Sequence, residues 1–344
     1  MRAIVIHSAK DLRIDEMPET APGEGEVLVQ MGSGGICGSD LHYFNDGGFG
    51  AIRLQEPMIL GHEVAGTIAE VGPGVTGLAP GDRVAVNPSR PCGSCLYCRE
   101  AKFNHCLDMR FYGSAMRMPH IQGAFREYLV ADASQCAKIT SDVSMQEAAM
   151  AEPLSVTLHA VRQAGPISGK RVLITGCGPI GALCIIASRL HGAGEITITD
   201  IVDAPLDYAR AVGADRTINV ATHADDLAAF SADKGTFDIV FEASGNPHAI
   251  AAAMNVIRPG GTFVQIGVGG DANLPINLIV AREIRMCGSF RFHEEFAFAA
   301  ELISSRRVDL KPLITDVIPL ADAAKAFEIA NDRSRAMKVQ IAFA

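Results

Sequence analysis

The run Thr175-Gly176-Cys177-Gly178-Pro179-Ile180-Gly181 constrains the fold more than any other stretch of this chain. It fits G-x-G-x-x-G, which carries little weight alone. Its context supplies the weight. The run follows the apolar strand pattern Lys170–Thr175 and opens the helical pattern Pro179–Leu190. A second strand pattern then ends at Asp200, 19 residues past Gly181. The three glycines have separate physical tasks. Gly176 makes the tight turn, Gly178 lets backbone N–H groups reach a pyrophosphate at the helix N-terminus, and Gly181 lets helix and strand pack closely. Asp200 would accept hydrogen bonds from a ribose diol. The competing reading is a glycine-rich turn in another α/β fold.

Asp200 also bears on which dinucleotide is held. A 2′-phosphate would meet its charge and that of Asp203, and no Lys or Arg follows before Arg210. NAD is therefore expected rather than NADP.

From about residue 153 strand and helix patterns alternate. Phe237–Ala243 and Gly261–Ile266 read as further strands, Ala204–Val212 and the segment after Pro247 as helices. Such alternation implies a doubly wound parallel sheet with helices on both faces. Before it, short β-like runs (Glu26–Met31, Val64–Val71, Arg83–Asn87, Phe125–Val130) alternate with Gly/Pro turns and suggest an antiparallel, barrel-like domain. The tail from about 291 carries a helix around Asp322–Ala330 and a final strand Lys338–Phe343, too little to stand alone. The expected division is residues 1–152 completed by 291–344, with 153–290 between them.

At 344 residues the chain can bury a large core without staples, so its nine cysteines are not needed as a disulfide scaffold. Thirty basic against thirty-nine acidic residues leave a net charge of −9. That argues against nucleic acid or an anionic membrane surface as partner. The first sixteen residues hold only Ala3–Ile6 as an apolar run, too short for a secretory signal. The longest uncharged stretch lies between Arg171 and Arg189, is broken by glycine and proline, and falls short of a membrane span. A cytoplasmic location is expected, where cysteines serve as metal ligands or buried thiols.

Cys92-x2-Cys95-x2-Cys98-x7-Cys106 sets four thiolates within fifteen residues, which matches a closed tetrahedral structural zinc site. An iron–sulfur cluster also takes four thiolates, but the bacterial ferredoxin spacing differs. A second set is dispersed: Cys37 in Gly35-Ile36-Cys37-Gly38-Ser39-Asp40, His62-Glu63 after Gly61, and Glu152 before Pro153. A catalytic zinc takes three protein ligands and keeps one position open, and one sulfur, one imidazole and one carboxylate would serve. Spacing alone does not pair residues so far apart.

Taken together, Gly61-His62-Glu63, the four-cysteine loop, Glu152-Pro153-Leu154 and the glycine turn, in that order, resemble the zinc-containing medium-chain dehydrogenase/reductase family, and within it the polyol branch. The resemblance implies a GroES-like catalytic domain joined to a Rossmann domain. It implies a catalytic zinc on Cys37, His62 and a carboxylate, Glu63 or Glu152, and a dinucleotide site extended by Gly267 and Val268. It suggests Ser39 as a proton relay with His42 as its later stage. Tyr43 and Arg291 would reach the substrate, with Arg90 and Arg110 as reserves. Phe111, Phe290 and Phe292 would be pocket wall or core. The phrases Gly34–Tyr43, Asn87–Cys92, Met109–Met116 and Gly288–Phe292 further suggest a sugar acid, L-idonate, oxidised to 5-keto-D-gluconate, and the family suggests a homodimer or homotetramer. One position departs from the branch. Pro205 stands where relatives often carry an arginine five residues after the ribose-binding acid. Cys136, Cys177, Cys184 and Cys287 fit no ligand pattern. Cys177 is expected to meet the cofactor through its backbone, the others to be buried thiols.

Two other readings compete. One is a different substrate of the same chemistry, such as sorbitol, xylitol, galactitol or threonine. The other is a zinc protein without catalysis, for instance a nucleic-acid regulator using the cysteine loop. The absence of a Lys/Arg cluster around Cys92–Cys106 and the retention of every candidate ligand weigh against the second.

Overall fold

The computed structural model describes residues 1–343, which form two compact units. The first holds Met1–Glu152, Phe296–Asp332 and the chain end from Lys338; the second holds Pro153–Glu295 and Arg333–Met337. The tail is thus divided between the units, not assigned whole to the first from 291. No helix among the described residues is long and apolar enough to cross a membrane.

The first unit is built on the strand Glu26–Gly35, in which Val27, Val29 and Met31 alternate inward with period two. It lies in a seven-stranded sheet between Glu63–Val71 on one side and Lys338–Ala342 and Tyr128–Asp132 on the other. Register matters more than shape here. Gly35 faces Glu63 on one neighbour and Gln340 on the other. The chain therefore brings Cys37, two residues past Gly35, to the start of the Glu63 strand and the start of the Lys338 strand. A Cβ on residue 35 would run into Glu63 Oε2, so only glycine leaves room for that carboxylate. Past Gly35 the chain turns into the helix Gly38–Asp46, with Cys37 at its N-cap.

The second unit is a six-stranded parallel sheet. The spatial order is Arg216–Asn219, Glu195–Asp200, Arg171–Thr175, Phe237–Glu242, Ile257–Gln265, Arg285–Gly288. In chain order this is 3-2-1-4-5-6, the doubly wound dinucleotide-binding topology, whose switch point lies between Arg171–Thr175 and Phe237–Glu242. Leu173, Phe237, Val240, Met254 and Phe263 belong to one buried cluster. Each such side chain contributes roughly 1.5–3 kcal/mol by leaving water. The helix Pro179–Leu190 begins with proline in its first turn, where no N–H is lost from the ladder. Two strands were not expected: Arg216–Asn219 and Arg285–Gly288. Both are four-residue edge strands with an exposed arginine first, so neither shows the apolar run that marks a buried strand.

Candidate active site

The sulfur of Cys37, a ring nitrogen of His62 and a carboxylate oxygen of Glu63 lie within 4.8 Å of one another. His62 and Glu63 are buried, Cys37 partly so. Asp40, fully buried, ties the set together. Its Oδ2 accepts the Cys37 N–H at 2.9 Å and its Oδ1 accepts the Gly61 N–H at 3.1 Å, fixing the chain beside two of the three candidate ligands. The Asp40 Oδ1 also stands 3.8 Å from His62 Nδ1, too far for a hydrogen bond, and that buried nitrogen has no hydrogen-bond partner. The His62 ring packs against Phe111 with centroids 5.4 Å apart.

Lys338 supplies the one ammonium of the cluster. Its Nζ donates to both Glu63 oxygens, at 2.7 and 2.9 Å, and to the Ile36 carbonyl at 3.2 Å. Burial pushes the Cys37 thiol up to about 12, helped by the nearby charges of Glu63 and Asp40. Burial likewise raises Asp40, and lifts Glu152 to about 8 with Glu63 and Cys37 adding to the rise against the opposing effect of His62. One ammonium thus faces a thiol and three carboxyl groups in a low-dielectric pocket. An unpartnered imidazole nitrogen, a sulfur and a carboxylate at mutual reach are a donor set that a divalent zinc ion fits. Glu152 is buried near this set but outside the 4.8 Å group.

The remaining residues expected here occupy different settings. Ser39 is half-buried and His42 exposed on the same helix, the His42 Nδ1 lying 3.8 Å from Asp46. Tyr43 is buried, and its hydroxyl accepts the Ala115 N–H at 3.0 Å, so it anchors the loop at Ala115. In the second unit, Arg291 has left-handed backbone (φ +54°), and its guanidinium lies 5.0 Å from the ring centre of the exposed Phe290. Phe292 is core. Arg90 and Arg110 face one another across a two-stranded ribbon, with Arg90 3.7 Å from Asp132.

The four-cysteine loop is compact. All four sulfurs lie within 4.8 Å of one another, and two pairs, Cys92–Cys98 and Cys95–Cys106, stand at 4.0 Å. A tetrahedron with ~2.3 Å zinc–sulfur bonds has edges of about 3.8 Å, so this spacing fits zinc and excludes disulfides. Backbone N–H groups of Cys95 and Asp108 point at the sulfurs of Cys92 and Cys106, and the Cys92 N–H also reaches Cys106. Hydrogen bonds from Ser94 and Cys95 bring Cys92 down to about 6, while burial lifts Cys98 to about 12. Of the other cysteines only Cys177 and Cys184 are buried; Cys136 and Cys287 are half-exposed, against expectation. Each lies on a strand at the edge of its sheet, where one side is not covered by a neighbouring strand.

At the glycine turn, Gly176 has φ +85°, and a Cβ there would meet the Ser244 backbone at 2.9 Å. A Cβ on Gly181 would strike the Gly176 carbonyl, whereas one on Gly178 would meet nothing within 4 Å. That open space at a helix N-terminus is where a pyrophosphate fits. A cavity of about 910 Å³ runs from Gly176 past Asp200, Val220 and Ala224 to Asn246 and Arg333. Gly267 packs against Gly245 and Glu242 with no room for a side chain, and Val268 beside it is exposed. The Cys177 N–H does not face the cavity but donates to Asp200 at 2.6 Å.

Three contributors escaped the sequence reading. Asp40 sat inside a quoted motif without a role, and Lys338 opened a strand whose apolar residues drew the attention. Glu242 ends its strand as a buried carboxylate that takes hydrogen bonds from Thr175, Gly245 and Gln265, bracing the turn. A charged residue at the end of a mostly apolar strand was the available signal for the last two.

Comparison with known proteins gives the family. Residues 23–141 match the alcohol dehydrogenase GroES-like domain, and residues 179–305 match the zinc-binding dehydrogenase domain. The chain is 42 % identical to L-idonate 5-dehydrogenase (NAD(P)(+)) of Escherichia coli over 92 % of each chain. It is 37 % identical to sorbitol dehydrogenase of Gallus gallus, over 98 % of this chain and 95 % of the relative. The crystal structure of the Escherichia coli L-idonate 5-dehydrogenase superposes with a TM-score of 0.94 at 39 % identity, covering 99 % of this chain and 98 % of that one.

Proposed function

The chain belongs to the zinc-binding medium-chain alcohol dehydrogenases, in their polyol branch, and from that premise we propose that it oxidises L-idonate to 5-keto-D-gluconate. The coarser activity, NAD-linked dehydrogenation of a polyol or sugar acid, follows from the family. The choice of L-idonate is carried by one observation: identity to the L-idonate enzyme exceeds that to the sorbitol enzyme, 42 % against 37 %. Arg291 gives the choice a chemical basis, because a guanidinium can bind an aldonate carboxylate with two parallel hydrogen bonds.

When bound, zinc acidifies the substrate hydroxyl and the nicotinamide accepts the hydride. Cys37, His62 and Glu63 would hold the ion, with Asp40 fixing the backbone at Cys37 and Gly61 and Lys338 balancing the Glu63 carboxylate. Glu152, which burial holds above the ordinary carboxyl value, stands beside the set as the acid–base candidate. The half-buried Ser39 and the exposed His42, three residues apart on one helix face, carry the released proton toward solvent. In the second unit the Gly176–Gly181 turn receives the pyrophosphate.

Initial rates of NADH formation on zinc-replete protein, with L-idonate and sorbitol at equal concentration, test the reading. L-idonate should be oxidised at least tenfold more efficiently, and Arg291→Ala should raise KM for the acid at least tenfold while moving KM for sorbitol far less. Faster turnover of sorbitol would overturn it.

A further inference from the structure

Asp200 already has its acceptor positions engaged. Oδ1 takes the N–H groups of Ile201 at 2.7 Å and Val202 at 3.1 Å. Oδ2 takes the Cys177 N–H at 2.6 Å and Nη2 of Arg333 at 2.9 Å. A carboxylate offers about four acceptor sites, so a ribose diol here competes with, or adds to, donors already in place. The carboxylate is 2 % exposed and the arginine side chain 55 %. Both line the same cavity, and the cation is its more accessible partner.

The absence of a base before Arg210 favoured NAD in the sequence. The fold supplies the missing base from 133 positions downstream. The segment Arg333–Met337 belongs to the dinucleotide-binding unit, although the chain on either side of it belongs to the other.

We propose that Arg333 sets the discrimination between NAD and NADP, and that it admits NADP. A lone Asp200 would repel a 2′-phosphate. Arg333 balances the charge of Asp200, Asp203 accepts a hydrogen bond from Asn219 Nδ2 at 2.7 Å, and the exposed guanidinium offers N–H donors in the fork that suits phosphate oxygens. NAD meets the same pair through hydroxyl groups and gains less from the cation. The proposal rests on the reading of this cavity as the adenosine end of the dinucleotide site.

Calorimetric titration of full-length, zinc-loaded protein with NAD+, NADP+, 5′-AMP and 2′-AMP tests both levels. Wild type should bind NADP+ within about tenfold of NAD+. Arg333→Ala should raise the ratio Kd(NADP+)/Kd(NAD+) at least tenfold and weaken 2′-AMP more than 5′-AMP, while Arg333→Lys should keep part of the preference. A thermal melt confirms that each variant is folded. A ratio within threefold of wild type in Arg333→Ala overturns the proposal and leaves Arg333 as a tether of the tail. If wild type binds neither dinucleotide, the reading of the cavity falls, and the proposal falls with it.

Discussion

Lys338 and Glu63, 275 residues apart, form a buried ion pair at 2.7 Å, each side chain at most 2 % exposed. The strand register makes it: Gln340 and Glu63 both face Gly35, which places Lys338 at the open end of the sheet beside the carboxylate. Burial works to lower the lysine, but Glu63, Cys37 and Glu152 together hold its pKa above the ordinary value.

Removing one partner of such a pair leaves an uncompensated charge and costs about 3–5 kcal/mol. Lys338→Met should destabilise the zinc-free protein by that order. The loss should be smaller with zinc bound, because the ion then compensates Glu63. Denaturant unfolding of wild type and Lys338→Met with and without chelator checks this. An equal loss in both states would show that Glu63 does not share its charge with the metal.

The glycine turn yields a pair of opposite outcomes. Gly181→Ala places a methyl against the Gly176 carbonyl and should cost several degrees of Tm or prevent folding. Gly178→Ala meets open space, so the melt should stay within about 2 °C of wild type. The same methyl then occupies the approach of the pyrophosphate, and Kd for NAD+ should rise at least tenfold. Unaltered NAD+ affinity in folded Gly178→Ala would remove the pyrophosphate from that position.

Which parts of this were legible in the chain follows from how far apart the partners lie. The glycine turn and the four-cysteine loop are local, so their spacing already encodes their geometry. Cys37, His62 and Glu63 needed family resemblance, since only the pairing of Glu26–Gly35 with Glu63–Val71 brings them together. Asp40 and Lys338 act through backbone N–H groups and a carboxylate across strands, and nothing in spacing announces such a partner. Arg333 was invisible for a further reason. Its segment leaves one unit for the other, and short charged stretches in a tail read as solvated surface. The bond from the Ala115 N–H to the Tyr43 hydroxyl also joins segments 72 positions apart, a pairing that spacing does not announce.

The cysteine loop predicts a zinc count. Wild type should carry two zinc ions per chain by elemental analysis, and Cys98→Ser should carry one. Cys98 is buried, and its loss opens the sulfur cluster that holds the loop closed. Trypsin should then cleave at the exposed Lys102 at least tenfold faster than in wild type. Retention of two zinc ions in Cys98→Ser would place the second ion elsewhere.

Glu295 predicts a dependence on acid. Its Oε1 accepts hydrogen bonds from His159 at 2.9 Å and Arg162 at 3.2 Å, and its Oε2 accepts the His293 N–H at 2.8 Å. Burial works to raise this carboxyl, but the bonds from His159 and the backbone outweigh it and bring it down to about 2, from an ordinary 4.5. A carboxyl depressed on folding stabilises the native state fully above its unfolded pKa, and the contribution is lost as pH falls through the folded value. The window is therefore pH 4.5 down to 2. Glu295→Gln should cost about 1–2 kcal/mol at pH 7, a figure reduced for partial solvent screening. The gap to wild type should stay constant to pH 5 and narrow steadily below 4.5. The same carboxylate holds the backbone two residues past Arg291, so on the proposed role of Arg291 the variant should also raise KM for the proposed substrate while leaving the zinc count at two. Urea unfolding at pH 7, 5 and 3.5 measures the first effect, and a gap that does not narrow at pH 3.5 would show that Glu295 stabilises this corner by packing, not by charge.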